Sequence, residues 1–172
     1  LTLHSPPGVF NHGKLDIGTA LLLDNLPEVH QGKVLDFACG CGVIGAMLKR
    51  KHPAIELFSS DISSLAVKAT ELTLAANNLT GTVVAADGLP ATPKQFDCIV
   101  SNPPFHTGIK TDYSIVDAFI SQSAARLSSN GSLTIVANSH LSYLELLQQA
   151  FKKVTVKAKA NGFVVYRATN QS

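Results

Sequence analysis

Long apolar runs are missing from this 172-residue sequence: each hydrophobic stretch meets a polar residue well before it could cross a bilayer. No basic segment followed by an apolar one opens the chain, so no secretory leader is visible and a cytoplasmic setting away from membranes is expected. Cysteine is sparse, and Cys39, Cys41 and Cys98 are an odd number, which excludes a closed disulfide framework. A lone C-x-C pair with no histidine nearby is also a poor zinc site, so buried thiols and no metal are expected. Charged residues are only 15% against 45% hydrophobic, which excludes a disordered polyelectrolyte and leaves an ordinary globule. Net charge is only +2, yet no acidic side chain follows Glu145, while Lys152, Lys153, Lys157, Lys159 and Arg167 do. A basic end suits a polyanionic partner, although a solvated strand face would look the same. Repeats and low-complexity segments are absent. The length fits one domain over 1–172. The chain opens at Leu1 without methionine, and Leu1 to Pro7 reads as a linker from a further, N-terminal domain.

What is present is an alternation of short apolar strands and amphipathic helices. A helix over Ile17–Leu23, with Asp16 as its N-cap, stops before Pro27. Strands are expected at Val34–Ala38, Ile55–Ser60, Thr82–Ala86, Phe96–Ser101 and Ser132–Ala137. Helices are expected at Val43–Lys51, from Ser63 to Asn77-Asn78 with Gly81 closing it off, at Ser114–Leu127, and at His140–Phe151. Asn130-Gly131 reads as a turn, and Asn161-Gly162 joins Val154–Ala160 to Phe163–Ala168 as a hairpin. The pattern implies an α/β fold: a mainly parallel, Rossmann-like sheet with helices on both faces and an antiparallel hairpin at its C-terminus. Ligands of such sheets sit beyond the carboxyl ends of the strands.

The polar punctuation falls there. Asp36-Phe37-Ala38-Cys39-Gly40-Cys41-Gly42 is a strand that breaks into a glycine turn and then a helix, a cradle for a nucleotide-like cofactor. Gly40 to Gly45 even matches the dinucleotide pattern G-x-G-x-x-G. Asp61, at the second strand tip, can accept from the vicinal hydroxyls of a ribose, which fits NAD and S-adenosylmethionine equally; it can also cap the next helix. Asp87-Gly88, at the third tip, offers a carboxylate to an exocyclic adenine amine. Asn102-Pro103-Pro104-Phe105 follows the fourth strand. Its two prolines fix φ, so the Asn102 side-chain oxygen and the Pro103 carbonyl form a stiff pair of acceptors for an –NH2 group. Phe105 supplies a flat face for a planar base.

In this order and at these strand ends, D-F-A-C-G-C-G, S-S-D, A-A-D-G and N-P-P-F resemble the class I S-adenosylmethionine-dependent methyltransferases, above all the amino-directed group. G-V-F-N-H-G-K-L-D-I-G-T (Gly8 to Thr19), N-P-P-F-H-T-G, I-V-A-N and V-V-Y-R-A narrow the likeness to the ribosomal RNA guanine-N2 methyltransferases of the RsmC and RlmG type. That resemblance implies S-adenosylmethionine as cofactor and a guanine of 16S rRNA, or of the small ribosomal subunit, as substrate. It further implies an N-terminal companion domain and a monomer. Large-subunit rRNA and a protein glutamine are the alternatives, the latter usually met with Tyr where Phe105 stands. The residues implied for the cofactor are Phe10, Thr19, Asp36, Ala38, Cys39, Gly40, Gly42, Asp61, Ile62, Asp87, Gly88 and Asn102. Those implied for catalysis are Asn102, Pro103, Pro104 and Phe105.

Overall fold

The computed structural model describes residues 1–4, 15–104, 106–107, 110–111 and 113–171. Phe10 and Phe105 therefore lie outside the described residues. In chain order the strands are β1 (Gly32–Phe37), β2 (Ile55–Asp61), β3 (Thr82–Ala85), β4 (Phe96–Ser101), the short β5 (His106–Thr107) and β6 (Lys110–Thr111), β7 (Leu127–Asn138), β8 (Lys153–Ala160) and β9 (Phe163–Thr169). Seven of them form one sheet in the order β3-β2-β1-β4-β7-β9-β8. Within it β9 is antiparallel to both its neighbours, while the other pairings are parallel. The short β5 and β6 pair separately.

Alternate strand residues face opposite layers. Leu35, Phe37, Ile99, Leu133, Ile135 and Tyr166 pack with Val116, Phe119 and Ile120 of α4 (Tyr113–Arg126) and Leu147 of α5 (Tyr143–Ala150). Val34, Cys98, Val100, Val136 and Val165 pack with Leu22 of α1 (Ile17–Leu23) and with Val43, Ile44 and Leu48 of α2 (Val43–Lys51). The helix α3 (Ser64–Ala76) closes a smaller cluster of Ala46, Leu57 and Leu74. Asp16 and Ser63 are the N-caps of α1 and α3, each accepting from the backbone N–H three residues on, as their side chains suggest.

Three local expectations need correction. α3 runs out at Asn77 and Asn78 as expected, but the left-handed residue that closes it is Asn78, φ 55°, and not Gly81; Leu79 N then donates to Leu74 O at 2.9 Å. Asparagine tolerates that left-handed geometry. Asn130-Gly131 does not stand outside the strands: β7 starts directly after α4, and residues 128–131 loop out of its pairing opposite Asp97 alone; Gly131 is buried where a Cβ would lie 3.0 Å from Ser128 O and 3.1 Å from Asp97 O. The fifth helix begins at Tyr143, behind Ser142, rather than at His140. The first residues touch the end of α3, where Thr2 N donates to Asn77 Oδ1 (2.8 Å) and His4 N to Thr73 Oγ1 (3.0 Å).

The hairpin turn is as expected, with Asn161 at φ 53° and Gly162 at 82°. Of the terminal cations, Lys153, Lys157 and Lys159 stand exposed on the edge strand β8, where lysine also discourages pairing with other chains. Arg167 is structural: its Nη2 donates to Asn25 O (2.8 Å) and its Nε to Thr134 Oγ1 (3.0 Å).

Candidate active site

The carboxyl ends of β1, β2 and β4 lie side by side, because β1 pairs with both of the others. Past Phe37 the backbone turns through left-handed residues, with φ of 56° at Ala38, 56° at Gly40 and 84° at Gly42, which is the N-cap of α2. Such a conformation at a non-glycine residue costs about 1–2 kcal/mol, so Ala38 marks a turn held by its surroundings.

The holders are identifiable. Cys39 N donates to Ser60 O (2.9 Å) and Gly42 N to Cys39 O (2.8 Å). Thr70, on the buried face of α3, donates to Gly40 O (2.9 Å) and lies 3.1 Å from Cys39 Sγ; a Cβ on Gly42 would fall 2.8 Å from its methyl group. Thr70 was invisible in the sequence, because only the docking of α3 brings it beneath the turn. Around Gly40, by contrast, a Cβ would meet nothing within 4 Å, so this side of the turn is open.

Asp36 braces the turn from below. It is fully buried, and its Oδ2 accepts from Gly45 N at 2.9 Å. A Cβ at Gly45 would come within 3.0 Å of that oxygen, which explains the third glycine of the pattern without a dinucleotide. Burial pushes the Asp36 carboxyl up to about 8, with the bond from Gly45 opposing and the charge of Asp61 adding. The group is therefore mostly protonated at neutral pH, and its other oxygen, Oδ1, has no partner among the described residues. Cys39 and Cys98 are buried and all three cysteines are free; burial raises each thiol, Cys98 to about 12, so none is a ready thiolate.

Asp61 fills two roles at once. Its Oδ2 accepts from Gly40 N (3.0 Å) and its Oδ1 from Ser63 N (2.9 Å), linking the turn to the start of α3. Each carboxylate oxygen has two lone pairs, so acceptor capacity is left for a further donor. Ile62 beside it is 72% exposed, an apolar face at a strand tip. Asp87 is exposed after β3, and Gly88 turns at φ 84°.

On the other flank, Ser101 Oγ donates to Phe37 O (2.7 Å) and locks the end of β4 to that of β1. Asn102 follows, half-buried; Pro103 is buried and Pro104 exposed. Asn102 Nδ2 donates to Asp16 Oδ2 (2.8 Å) and to Thr19 Oγ1 (2.9 Å), so the start of α1 folds over this corner as expected. Among the described residues, one three-membered group of potential metal ligands, Glu28, His30 and His52, lies at the far end of the sheet. There Glu28 is already paired with Lys51 at 3.0 Å.

A parallel sheet with one reversed strand near its end, and a glycine turn flanked by acidic and Asn-Pro-Pro strand tips, defines a Rossmann-like methyltransferase domain. The methyltransferase small domain model matches residues 1–167, and the chain belongs to that family. It is 47% identical over 169 residues to the ribosomal RNA small subunit methyltransferase C of Pseudomonas entomophila, covering 98% of this chain and 51% of that protein. The like-named protein of Pseudoalteromonas translucida is 47% identical over 165 residues, covering 96% and 48%. The chain thus spans about half the length of these relatives. The 16S rRNA N2 methyltransferase (RsmC) of T. thermophilus, solved in complex with AdoMet and guanosine, superposes with a TM-score of 0.88 at 32% identity, over 98% of this chain and 47% of that one. A ribosomal protein L11 methylase from Lactobacillus delbrueckii (TM-score 0.73, 18% identity) shares the fold alone.

Proposed function

We propose that this chain transfers a methyl group from S-adenosylmethionine to the exocyclic N2 amine of a guanine in 16S rRNA. The observation that carries the reading is the Asn102 corner: a half-buried carboxamide on a proline-stiffened strand end, one strand away from an open glycine turn. The relatives' names and the guanosine held by the T. thermophilus protein favour a guanine over a protein glutamine.

The residues present fit the cofactor. The open face at Gly40 leaves room for the methionine end, with Asp36 holding the turn from beneath. Asp61 has acceptor capacity for a ribose diol, exposed Ile62 offers an apolar face to the adenine, and exposed Asp87 can accept from its amine. Thr19, Ala38, Cys39, Gly42 and Gly88 shape the same crevice, and the sequence resemblance gives Phe10 the task of covering it. When bound, S-adenosylmethionine supplies an electrophilic sulfonium methyl group.

The target base leaves its stack, at a cost of a few kcal/mol, and rests on Phe105. Asn102 Oδ1 and the Pro103 carbonyl accept from its N2 amine. The lone pair of that amine is delocalised into the ring, so acceptors that favour a pyramidal nitrogen stabilise the transition state more than the ground state. Alignment of amine and methyl supplies much of the remaining rate. No histidine or glutamate is needed as base, since the product can release its proton to water.

The protein acts as a cytoplasmic monomer on the small subunit, with a second domain of the same polypeptide in the part of the relatives beyond this match. No helix among the described residues is long and apolar enough to cross a membrane. The test is incubation with tritiated S-adenosylmethionine and ribosomal subunits lacking the modification, followed by nucleoside digestion. Label in N2-methylguanosine of 16S rRNA is expected; label in protein, in 23S rRNA or nowhere overturns the reading.

A further inference from the structure

We propose that Asp16, acting with Thr19, is the positioning residue that turns the Asn102 amide so that only its oxygen is left for the substrate. The site thereby becomes acceptor-only and selects an amine. This rests on the function proposed above and names the device behind its selectivity.

Asp16 Oδ2 receives three donors: Thr19 N at 3.0 Å, Thr19 Oγ1 at 3.1 Å and Asn102 Nδ2 at 2.8 Å. Asn102 Nδ2 also donates to Thr19 Oγ1 at 2.9 Å, so the amide nitrogen is held by both partners. The three side chains form a closed ring in which the hydroxyl of Thr19 accepts from Asn102 and donates to Asp16. An ionised carboxylate can only accept. Turning the amide over would set its oxygen against that carboxylate and against a hydroxyl oxygen whose proton is already committed. The flip is thus dictated by the chemistry of the partner. What remains is Oδ1, an acceptor. An exocyclic amine satisfies it, whereas a keto oxygen at the same place would face another acceptor.

The support behind Asp16 is stiff. It caps α1, and that helix is seated by fully buried Leu22 and by Gly18, where a Cβ would meet the Phe163 ring at 3.0 Å. Asp16 and Asn102 are 86 residues apart, so the ring exists only once α1 has docked over β7 and β9.

Four variants of the full-length protein test this: D16A, D16N, N102D and the swap D16N/N102D. Loss of the ring in D16A lowers kcat about 10- to 100-fold, the scale expected for a misplaced catalytic group, with the dissociation constant for S-adenosylmethionine within about twofold of wild type. The carboxamide introduced by D16N can accept or donate, so it no longer dictates the flip, and kcat falls by less than in D16A. N102D sets two carboxylates face to face and loses more activity than D16A. In the swap, the carboxamide now at position 16 donates to the carboxylate now at position 102. There kcat recovers at least about 10-fold over N102D, which a merely structural cap would not produce. The amide itself is read by NMR on 15N-labelled protein, without any substrate. Two well-separated, exchange-protected Asn102 side-chain proton resonances are expected in wild type, reduced protection in D16N, and collapse toward the solvent-averaged pattern in D16A. Unchanged resonances and kcat in D16A, or no recovery in the swap, overturn the proposal. Failure of the functional reading appears differently, as wild-type label on another acceptor, while the ring still scores on the NMR.

Discussion

The two ends of the sheet carry similar materials and put them to different use. At the amino end, Asp97 accepts from Lys33 N (2.8 Å) and from Ser128 Oγ (2.9 Å), and Gly32, at φ 101°, is pressed so close to this carboxylate that a Cβ would fall 2.5 Å from Oδ2. At the carboxyl end, Asp61 likewise accepts from two groups, Gly40 N and Ser63 N, beside a glycine of positive φ. Yet the space around Gly40 is open where that around Gly32 is filled. A hollow of about 830 Å³ lies at the amino end, edged by Gly32, Lys33, Glu56, Asp97 and Ser128. The carboxyl end is distinguished by polar groups fixed from beneath, with capacity left on the outward side.

The comparison is open to breakage at matched aspartates. Asp61→Ala and Asp97→Ala each delete two hydrogen bonds to a carboxylate, and each should cost about 1–3 kcal/mol in denaturant unfolding. Only the first should also weaken S-adenosylmethionine binding, by about 10- to 100-fold in calorimetry, since about 1.5–3 kcal/mol follows the loss of charge-assisted hydrogen bonds. Equal affinities in the two variants would remove the distinction between the ends.

A different effect, on how stability depends on pH, belongs to Asp36, which sharpens what bracing means. Its carboxyl is raised from 3.8 to about 8 by burial, so between those values the folded protein holds a proton that the unfolded chain has lost. Stability contributed by this group is complete at low pH and declines as pH rises through that window. Asp36→Asn keeps an acceptor for Gly45 N and a neutral neighbour atom. It should flatten this part of the stability–pH curve, read as unfolding midpoints from about pH 4 to about pH 8; an unchanged slope would mean that Asp36 is not protonated in the native state.

Most of the frame was legible because its signals are local. Alternating apolar strands, the caps Asp16 and Ser63, and the Asn161-Gly162 turn each act within a few residues of themselves. Acidic tips and the Asn-Pro-Pro run could likewise be assigned to strand ends from the order of elements. The misreadings came where tertiary contact outweighed local preference. Gly131 looks like a turn residue, yet it is needed small because β7 passes over the backbone of Asp97. Asn78 ended α3 before the glycine that seemed to close it. Thr70 beneath the glycine turn and the tie between Asp16 and Asn102 could not be read at all, since both depend on segments distant in sequence meeting in space. Asp36 was expected among the cofactor's contacts; that its Oδ2 also accepts from Gly45 N on the buried underside of the turn could not be read from the sequence.

The central claim is that the carboxyl end, and not the hollow opposite, receives the methyl donor. Titrating S-adenosylmethionine into 15N-labelled protein tests it directly by following backbone amide resonances. The account predicts the largest shifts at Gly40, Ile62 and Gly88, with Gly32, Lys33 and Asp97 unmoved. Shifts concentrated at Gly32, Lys33 and Asp97 would contradict it.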